Sequence, residues 1–432
     1  MKSESEVIVR PARSVRGSVS LPGDKSISHR YAMLAGIAEG PSRIENYSTG
    51  ADCASTLGCM RSLGVKWERK DGSDNVIEVQ GSGLSLTAPT QPLDCGNSGS
   101  TIRMLSGIVA GQEFSSEMAG DESLSRRPME RVITPLTAMG AEISSQNGRP
   151  PLRITGAHLK AIHYQMPVAS AQVKTCLLFA GLLADGETRI EEPLRTRDHG
   201  EVALRAFGAQ VERAGNELRI RGGQRLRGIT ARVPGDISSA AFFLCAAALF
   251  PNSQLTVTNL LMNPTRARLL DILIQMGLRI SVTQLEEVHG ELVGTLQVEG
   301  GRLKGATIAG GDTAALIDEI PVLAAIAPST EQGIEVRDAS ELRVKESDRI
   351  AAIATNLRAM GAQVEERADG LKVPGGQTLH GAEIESFDDH RIAMAFSIAA
   401  LRAQGETSIR GSACAAISYP EFFAVLEGLV ER

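Results

Sequence analysis

The sequence predicts an α/β protein of two domains, each assembled from three copies of a helix, glycine turn and strand unit. Three observations predict it. An apolar helix end, a Gly and a short alternating segment recur about every 70 residues. The chain also reads as two similar halves, and its 42% hydrophobic content is ample for sizeable cores.

The recurring unit reads Leu63-Gly64-Val65, Met139-Gly140-Ala141, Phe207-Gly208-Ala209, Met276-Gly277-Leu278 and Met360-Gly361-Ala362, with Gly428 as a sixth copy near the end. Each Gly suits the left-handed residue that stops a helix, and the segments VKWE, AEIS, AQVE and LRIS that follow suit strands. The halves are related by matching fragments: Leu21-Pro22-Gly23-Asp24 matches Val233-Pro234-Gly235-Asp236, and LLADGET at 182–188 matches ALRAQGET ending at Thr407. The segment before each PGD matches as well. These correspondences predict a first three-repeat domain at 21–233 and a second at 234–432, with 1–20 a strand segment belonging to the second.

Composition narrows the function. A net charge of -6 and 3% aromatic residues in 432 provide neither a basic footprint nor a stacking platform, so no nucleic-acid partner is expected. The start, MKSESEVIVR, has no signal-peptide core, and the longest apolar run, 240–250, falls well short of the ~20 residues that span a bilayer, so a cytoplasmic protein without a membrane partner is expected. The six cysteines lack CxxC pairs and the seven histidines lack metal-ligand spacing. Buried, reduced thiols and no metal site are expected.

The chemistry begins at Gly23-Asp24-Lys25-Ser26-Ile27-Ser28-His29-Arg30, where a glycine turn opens into a helix bearing Lys25, two hydroxyls and Arg30. Unpaired N–H groups at a helix start favour anions, and Arg30 returns to the face of Ser26 one turn on. By itself the fragment also fits a Ser cap followed by solvated charges. The equivalent stretch of the second half, Gly235 to Phe242, lacks both cations and reads as core. Gly96-Asn97-Ser98-Gly99-Ser100-Thr101-Ile102-Arg103 brings backbone close to a ligand before an apolar helix, or is a simple turn and cap.

Arg126-Arg127-Pro128, Ser170-Ala171-Gln172-Val173-Lys174 and Arg195-Thr196-Arg197-Asp198-His199 follow. In the second half, Asp318 and Glu319 interrupt an apolar run, which is costly unless they are paired or border a cleft. Lys345, Glu346, Asp348 and Arg349 crowd one turn, and Asp388-Asp389-His390-Arg391 starts another apolar helix. Pairing on a wet helix face accounts for the Lys345 to Arg349 cluster at its simplest, and solvated roles are expected for Asp198, Asp348 and Asp389. Together the cations suggest a cleft between domains for more than one anionic group. A P-loop would need Gly directly before Lys, and Asp24 intervenes.

In combination and order, GDKSISHR, GNSGSTIR, RRP, SAQVK, RDHGE, NPTR (Asn263 to Arg266), LIDE, RVKESDR and DDHR resemble the 5-enolpyruvylshikimate-3-phosphate synthases over nearly the whole chain. The resemblance implies two inside-out α/β barrel domains of three βαβαββ-like units each, and no metal or organic cofactor. It implies transfer of the enolpyruvyl group of phosphoenolpyruvate to the 5-hydroxyl of shikimate 3-phosphate, with these two small molecules as partners of a monomeric enzyme. Carried over, it implies shikimate 3-phosphate contacts from Lys25, Ser26, Arg30, Ser170, Ala171, Gln172, Arg197, Asp318 and Lys345. Phosphoenolpyruvate contacts are implied from Lys25, Gly99, Arg127, Gln172, Arg349 and Arg391. Asp318, Glu346, Lys25 and Lys345 are the implied catalytic residues.

The pattern departs from many relatives at Ile417, where they carry Lys, at Glu341, where they carry Asn, and at Ala171, where they carry Ser. SAQVK and NPTR resemble a branch often tolerant of glyphosate, whereas Gly99 is typical of sensitive enzymes. A UDP-N-acetylglucosamine enolpyruvyl transferase usually has Lys-Asn in place of Lys25-Ser26 and a Cys in the loop corresponding to 111–127, where this chain has none. A non-catalytic repeat scaffold would not need cations gathered at helix starts.

Overall fold

The computed structural model describes residues 5–70 and 72–432 and divides into two compact units. One consists of the residues up to Pro22, Pro234–Glu287 and Leu292–Arg432; the other consists of Gly23–Val233 together with Val288–Glu291. We call them the discontinuous and the central unit.

Three four-stranded sheets of the central unit share one plan. Glu39–Glu45 runs parallel to Thr230–Arg232 on one side and antiparallel to Ile77–Ser82 on the other, and Lys66–Arg69 completes the hairpin. Leu93–Asp94, Ser115–Ala119, Arg149–Thr155 and Glu142–Gln146 repeat that order, as do His163–Gln165, Glu187–Glu191, Glu217–Arg221 and Val211–Ala214. In the discontinuous unit Ala306–Ile308, Ile334–Val336, Gly370–Val373 and Glu365–Arg367 follow it too. Its other two sheets borrow from the start of the chain. Ser14–Ser20 lies parallel to Gln254–Leu261, and Glu6–Val9 pairs antiparallel with Thr407–Arg410.

Helices fill the middle of each unit. Lys25–Ile37, Gly99–Val109 and Ala171–Leu183 bury nearly every residue after their first turn, as do Ile237–Ala248, Ile320–Ile326 and His390–Ala400 in the discontinuous unit. A helix apolar all round must be enclosed, whereas a strand such as Arg149–Thr155, alternately exposed and covered, needs only one face against a core. Helices therefore lie inside and sheets outside.

Five of the repeated glycines end helices as expected. Gly64, Gly140, Gly208, Gly277 and Gly361 have φ between 85° and 114°. In each case the residue after the Gly donates its N–H back across the last turn, as Val65 does to Met60 O at 3.0 Å and Ala141 to Leu136 O at 3.1 Å. The sixth copy differs. Gly428 lies within the helix Phe422–Leu429, which passes through extended Val430 straight into the strand Val430–Glu431, so no left-handed residue is required.

A second glycine recurs that periodicity alone did not single out. A Cβ on Gly81 would stand 2.1 Å from Ala38 O, on Gly156 2.0 Å from Gln112 O, on Gly222 1.7 Å from Ala184 O and on Gly300 1.8 Å from Phe250 O. Each of these carbonyls lies at or just past the end of an inner helix, so hairpin and helix meet backbone to backbone. Gly222→Ala should destabilise the fold by about 1–3 kcal/mol, since the obstructing atom is main chain and cannot swing aside. Urea unfolding would show the loss as a lower midpoint, and an unchanged midpoint would remove the close approach as a constraint.

Candidate functional site

The central unit gathers the starts of its three inner helices. Asp24, not Ser26, caps the first, its carboxylate accepting the Ile27 N–H at 2.9 Å, which leaves the Ser26 hydroxyl outside the cap. Lys25 Nζ bonds Asp52 Oδ2 at 2.9 Å, and Arg30 donates to Thr175 Oγ1 at 2.7 Å, Ser26 O at 2.8 Å and Ala171 O at 3.4 Å. Burial pushes the Arg30 guanidinium down to about 10, and the Glu201 carboxylate acts the other way. Arg30 therefore stays charged at neutral pH.

Ser98 caps the helix Gly99–Val109 and Ser170 caps Ala171–Leu183, so their N-termini remain available to an anion apart from one N–H each. Arg103 Nη1 donates to Gln172 Oε1 at 2.8 Å, and Gln172 returns a bond to Ser100 Oγ at 2.9 Å, joining the second and third helix starts. Arg127 is buried and donates to Asn97 Oδ1 at 2.9 Å. Gly99 lies beneath both cations: a Cβ there would come 3.1 Å from Arg103 Nη1 and 3.3 Å from Arg127 Nη1. Arg197, half-buried, acts electrostatically on Arg30.

The discontinuous unit holds a second cluster. Arg349, only 1% exposed, donates to Asp389 through Nε at 2.8 Å and to Glu346 through Nη2 at 2.6 Å, with Asp318 Oδ1 3.6 Å from Nη1. Lys345 Nζ lies 3.5 Å from the same Asp318 oxygen, and Arg391 Nη1 donates to the Asp318 carbonyl at 2.8 Å. Asp318, Lys345, Glu346, Arg349 and Arg391, the five site residues that the resemblance implies in this part of the chain, thus meet. Burial pushes the Asp389 carboxyl up, but the Arg349 guanidinium outweighs it and holds the group below its ordinary value.

Two expectations are corrected. Asp389 is not solvated: it is fully buried, caps the helix His390–Ala400 and grips Arg349. Charges around Lys345 to Arg349 do not pair along one wet helix face either, because Asp318 and Asp389 come from elsewhere and Asp348 caps the helix that Arg349 begins. Sequence reasoning also missed Asp52 and Arg103. Arg103 had a signal, four residues after Gly99 on a helix, whereas nothing in the sequence tied Asp52 to Lys25. The second-half counterpart of the Lys25 helix is core as expected, yet it holds a buried polar group: Arg266 donates to Ser238 Oγ at 2.6 Å and Ser238 to Glu319.

Each unit thus holds its own cluster of Lys and Arg, one at helix starts and the other braided with carboxylates, a chemistry suited to small oxyanions. A model of the EPSP synthase (3-phosphoshikimate 1-carboxyvinyltransferase) family matches residues 9–426, and the chain belongs to that family. The 3-phosphoshikimate 1-carboxyvinyltransferase of Koribacter versatilis (strain Ellin345) is 62% identical over 426 residues, covering 99% of both chains. That of Solibacter usitatus (strain Ellin6076) is 55% identical over 98% of this chain and 99% of its own. A solved EPSP synthase from Acinetobacter baumannii superposes with a TM-score of 0.88 at 40% identity, covering 99% of this chain and 98% of its own, in keeping with the α/β class read from the repeats. No helix among the described residues is long and apolar enough to cross a membrane.

His29 ties two of the motifs together. Its Nδ1 meets Thr56 Oγ1 at 2.7 Å, and Thr56 meets Thr101 Oγ1 at 2.7 Å, linking the first inner helix to the second. Burial pushes the imidazole well below its usual value, and the charges on Lys25 and Arg30 push the same way. The unfolded chain, with its His near ~6.5, therefore takes up this proton first, so the contribution is fully present above that pH and declines as pH falls through it. His29→Gln should flatten the pH dependence of stability between about pH 7 and 5, by up to ~1.4 kcal/mol per pH unit for one proton. Urea titrations of both proteins across that range would check it, and parallel curves would show that His29 does not stay neutral in the fold.

Proposed function

We infer that this chain transfers the enolpyruvyl group of phosphoenolpyruvate to the 5-hydroxyl of shikimate 3-phosphate, releasing phosphate, within the route to chorismate and the aromatic amino acids. The observation that carries the reading is the family match along 9–426, joined to a cation cluster at three helix starts suited to phosphate and carboxylate groups. Planar guanidinium forks bind such oxygens in pairs.

We assign Lys25, Ser26, Arg30, Ser170, Ala171, Gln172 and Arg197, with Asp318 and Lys345, to shikimate 3-phosphate. Phosphoenolpyruvate takes Lys25, Gly99, Arg127, Gln172, Arg349 and Arg391. The 5-hydroxyl oxygen adds to C2 of phosphoenolpyruvate as its proton leaves and the methylene carbon gains one, giving a tetrahedral ketal phosphate. Loss of phosphate, with a proton leaving the new methyl group, completes the exchange. Asp318 and Glu346 are the acid–base pair in this reading, and Lys25 and Lys345 balance the charge that develops. The enzyme works as a monomer in the cytoplasm, without nucleic acid as a partner.

Phosphate release should require shikimate 3-phosphate and not proceed with UDP-N-acetylglucosamine; the reverse preference would move the chain to the other enolpyruvyl transferase. Glu346→Gln keeps the shape beside Arg349 but cannot shuttle a proton. It should lower turnover by ~10²- to 10⁴-fold while shikimate 3-phosphate still binds. Calorimetry with steady-state rates checks this, and near-normal turnover would remove Glu346 from the acid–base role.

Glyphosate, longer than phosphoenolpyruvate, should press harder on the wall formed by Gly99. A Cβ there meets only the ends of Arg103 and Arg127, which can give, so Gly99→Ala should remain active. Its inhibition by glyphosate should weaken by about 1–3 kcal/mol, roughly tenfold to a hundredfold, and more than its phosphoenolpyruvate KM rises. Equal losses for the two ligands would show that Gly99 does not set the selectivity.

A further inference from the structure

Lys174 is fully buried in the helix Ala171–Leu183, one turn inside the proposed substrate contacts Ser170 to Gln172. An ammonium in that position is tolerated only with partners. Its Nζ lies 3.2 Å from Glu192 and 3.0 Å from Glu201, both carboxylates buried. Arg213 bridges the same pair from the other side, at 2.7 Å to Glu192 and 2.6 Å to Glu201. Two cations and two carboxylates therefore cancel inside the central unit.

Glu192 also holds backbone. Its Oε1 accepts the Thr196 N–H at 3.1 Å and the Thr196 hydroxyl, while Lys174 Nζ donates to the Thr196 carbonyl at 3.5 Å. The two peptide units that flank Thr196, the second of them shared with Arg197, are thus each held by the four-charge group. None of its four members is among the residues assigned to substrate, and it would be an expensive way to fill a core if packing were its only role.

We propose that Lys174, Glu192, Glu201 and Arg213 are positioning residues that hold Arg197 in place through Thr196, and so set the affinity for shikimate 3-phosphate. The inference rests on the assignment of Arg197 to that substrate. Removing Lys174 leaves an uncompensated carboxylate beside Thr196 and removes the bond to its carbonyl.

Steady-state kinetics of the full chain test this on Lys174→Met, Thr196→Val, Arg197→Ala and the double variant Lys174→Met/Arg197→Ala. Lys174→Met should raise the shikimate 3-phosphate KM about tenfold, with kcat and the phosphoenolpyruvate KM within about twofold, and Thr196→Val should raise it about threefold. In the Arg197→Ala background Lys174→Met should add less than about twofold, because its effect runs through Arg197. Adding Glu201→Gln to Lys174→Met restores charge balance with the Glu192 bracket intact, and should recover most of the loss. A lower melting temperature is expected of Lys174→Met on either reading, whereas a purely structural role would move all three kinetic constants together, which would overturn the proposal. If Lys174→Met does not fold, Thr196→Val decides alone. An unchanged shikimate 3-phosphate KM in Thr196→Val, with a raised one in Arg197→Ala, overturns the network and spares the assignment of Arg197. No change in Arg197→Ala overturns that assignment, and the inference with it.

Discussion

A guanidinium kept from water must be answered by carboxylates, and Arg349 with Asp389 shows how much of this chain is organised around that requirement. Arg349 begins one helix and Asp389 caps another, 40 residues later, with Nε and Oδ2 2.8 Å apart. Glu346, three residues before it, and Asp318, from a further segment, reach the same arginine. Breaking such a buried pair typically costs ~3–5 kcal/mol because one charge is left alone. The geometry of the proposed acid–base pair and the charge state of the arginine are therefore one problem, solved once. Lys25 with Asp52, and Lys174 with Glu192 and Glu201, apply the same solution in the central unit.

Repetition supplies the frame on which these charges are hung. Inner helices enclosed on all sides, glycine-stopped helices and hairpins packed backbone to backbone recur in both units. What differs between copies is the chemistry at the helix starts. Asp24 and Asp236 cap equivalent helices, but the first is followed by Lys25 and Arg30 and the second by Ile237 and Phe242. Where the second copy keeps polarity, at Ser238, Arg266 and Glu319, the groups satisfy one another inside the core. One copy of the repeat carries cations at its helix start, and the other has apolar residues in their place.

Side-chain hydrogen bonds tie the inner helices of the central unit to one another. His29, Thr56 and Thr101 form one such chain, and Arg103 with Gln172 forms another. Both run between inner helices at the end where the proposed ligands would bind, so the same bonds that pack the unit also fix the spacing of its cations. Pre-set spacing is what allows guanidinium groups to act on an oxyanion without first being ordered.

The α/β class, the repeated unit and five of its six glycine stops were legible in the sequence because they follow from local rules. A helix end needs a left-handed residue and an enclosed helix needs apolar faces, and both leave marks at a fixed spacing. Gly428 broke the pattern because its helix runs directly into extended backbone, where no reversal occurs. Cations at helix starts could be noticed from local rules too, whereas Asp318, Lys345, Glu346, Arg349 and Arg391, which the structure brings together, were singled out by their resemblance to family motifs. Pairing was not. Asp389 read as a solvated carboxylate, and Lys25 and Lys174 carried no mark of their partners, because Arg349, Asp52 and Glu201 lie 27 to 40 residues from the groups they pair with. Which charges are buried together depends on how the repeats close around their inner helices, and only tertiary structure decides that, since dehydration couples groups through space and not along the chain.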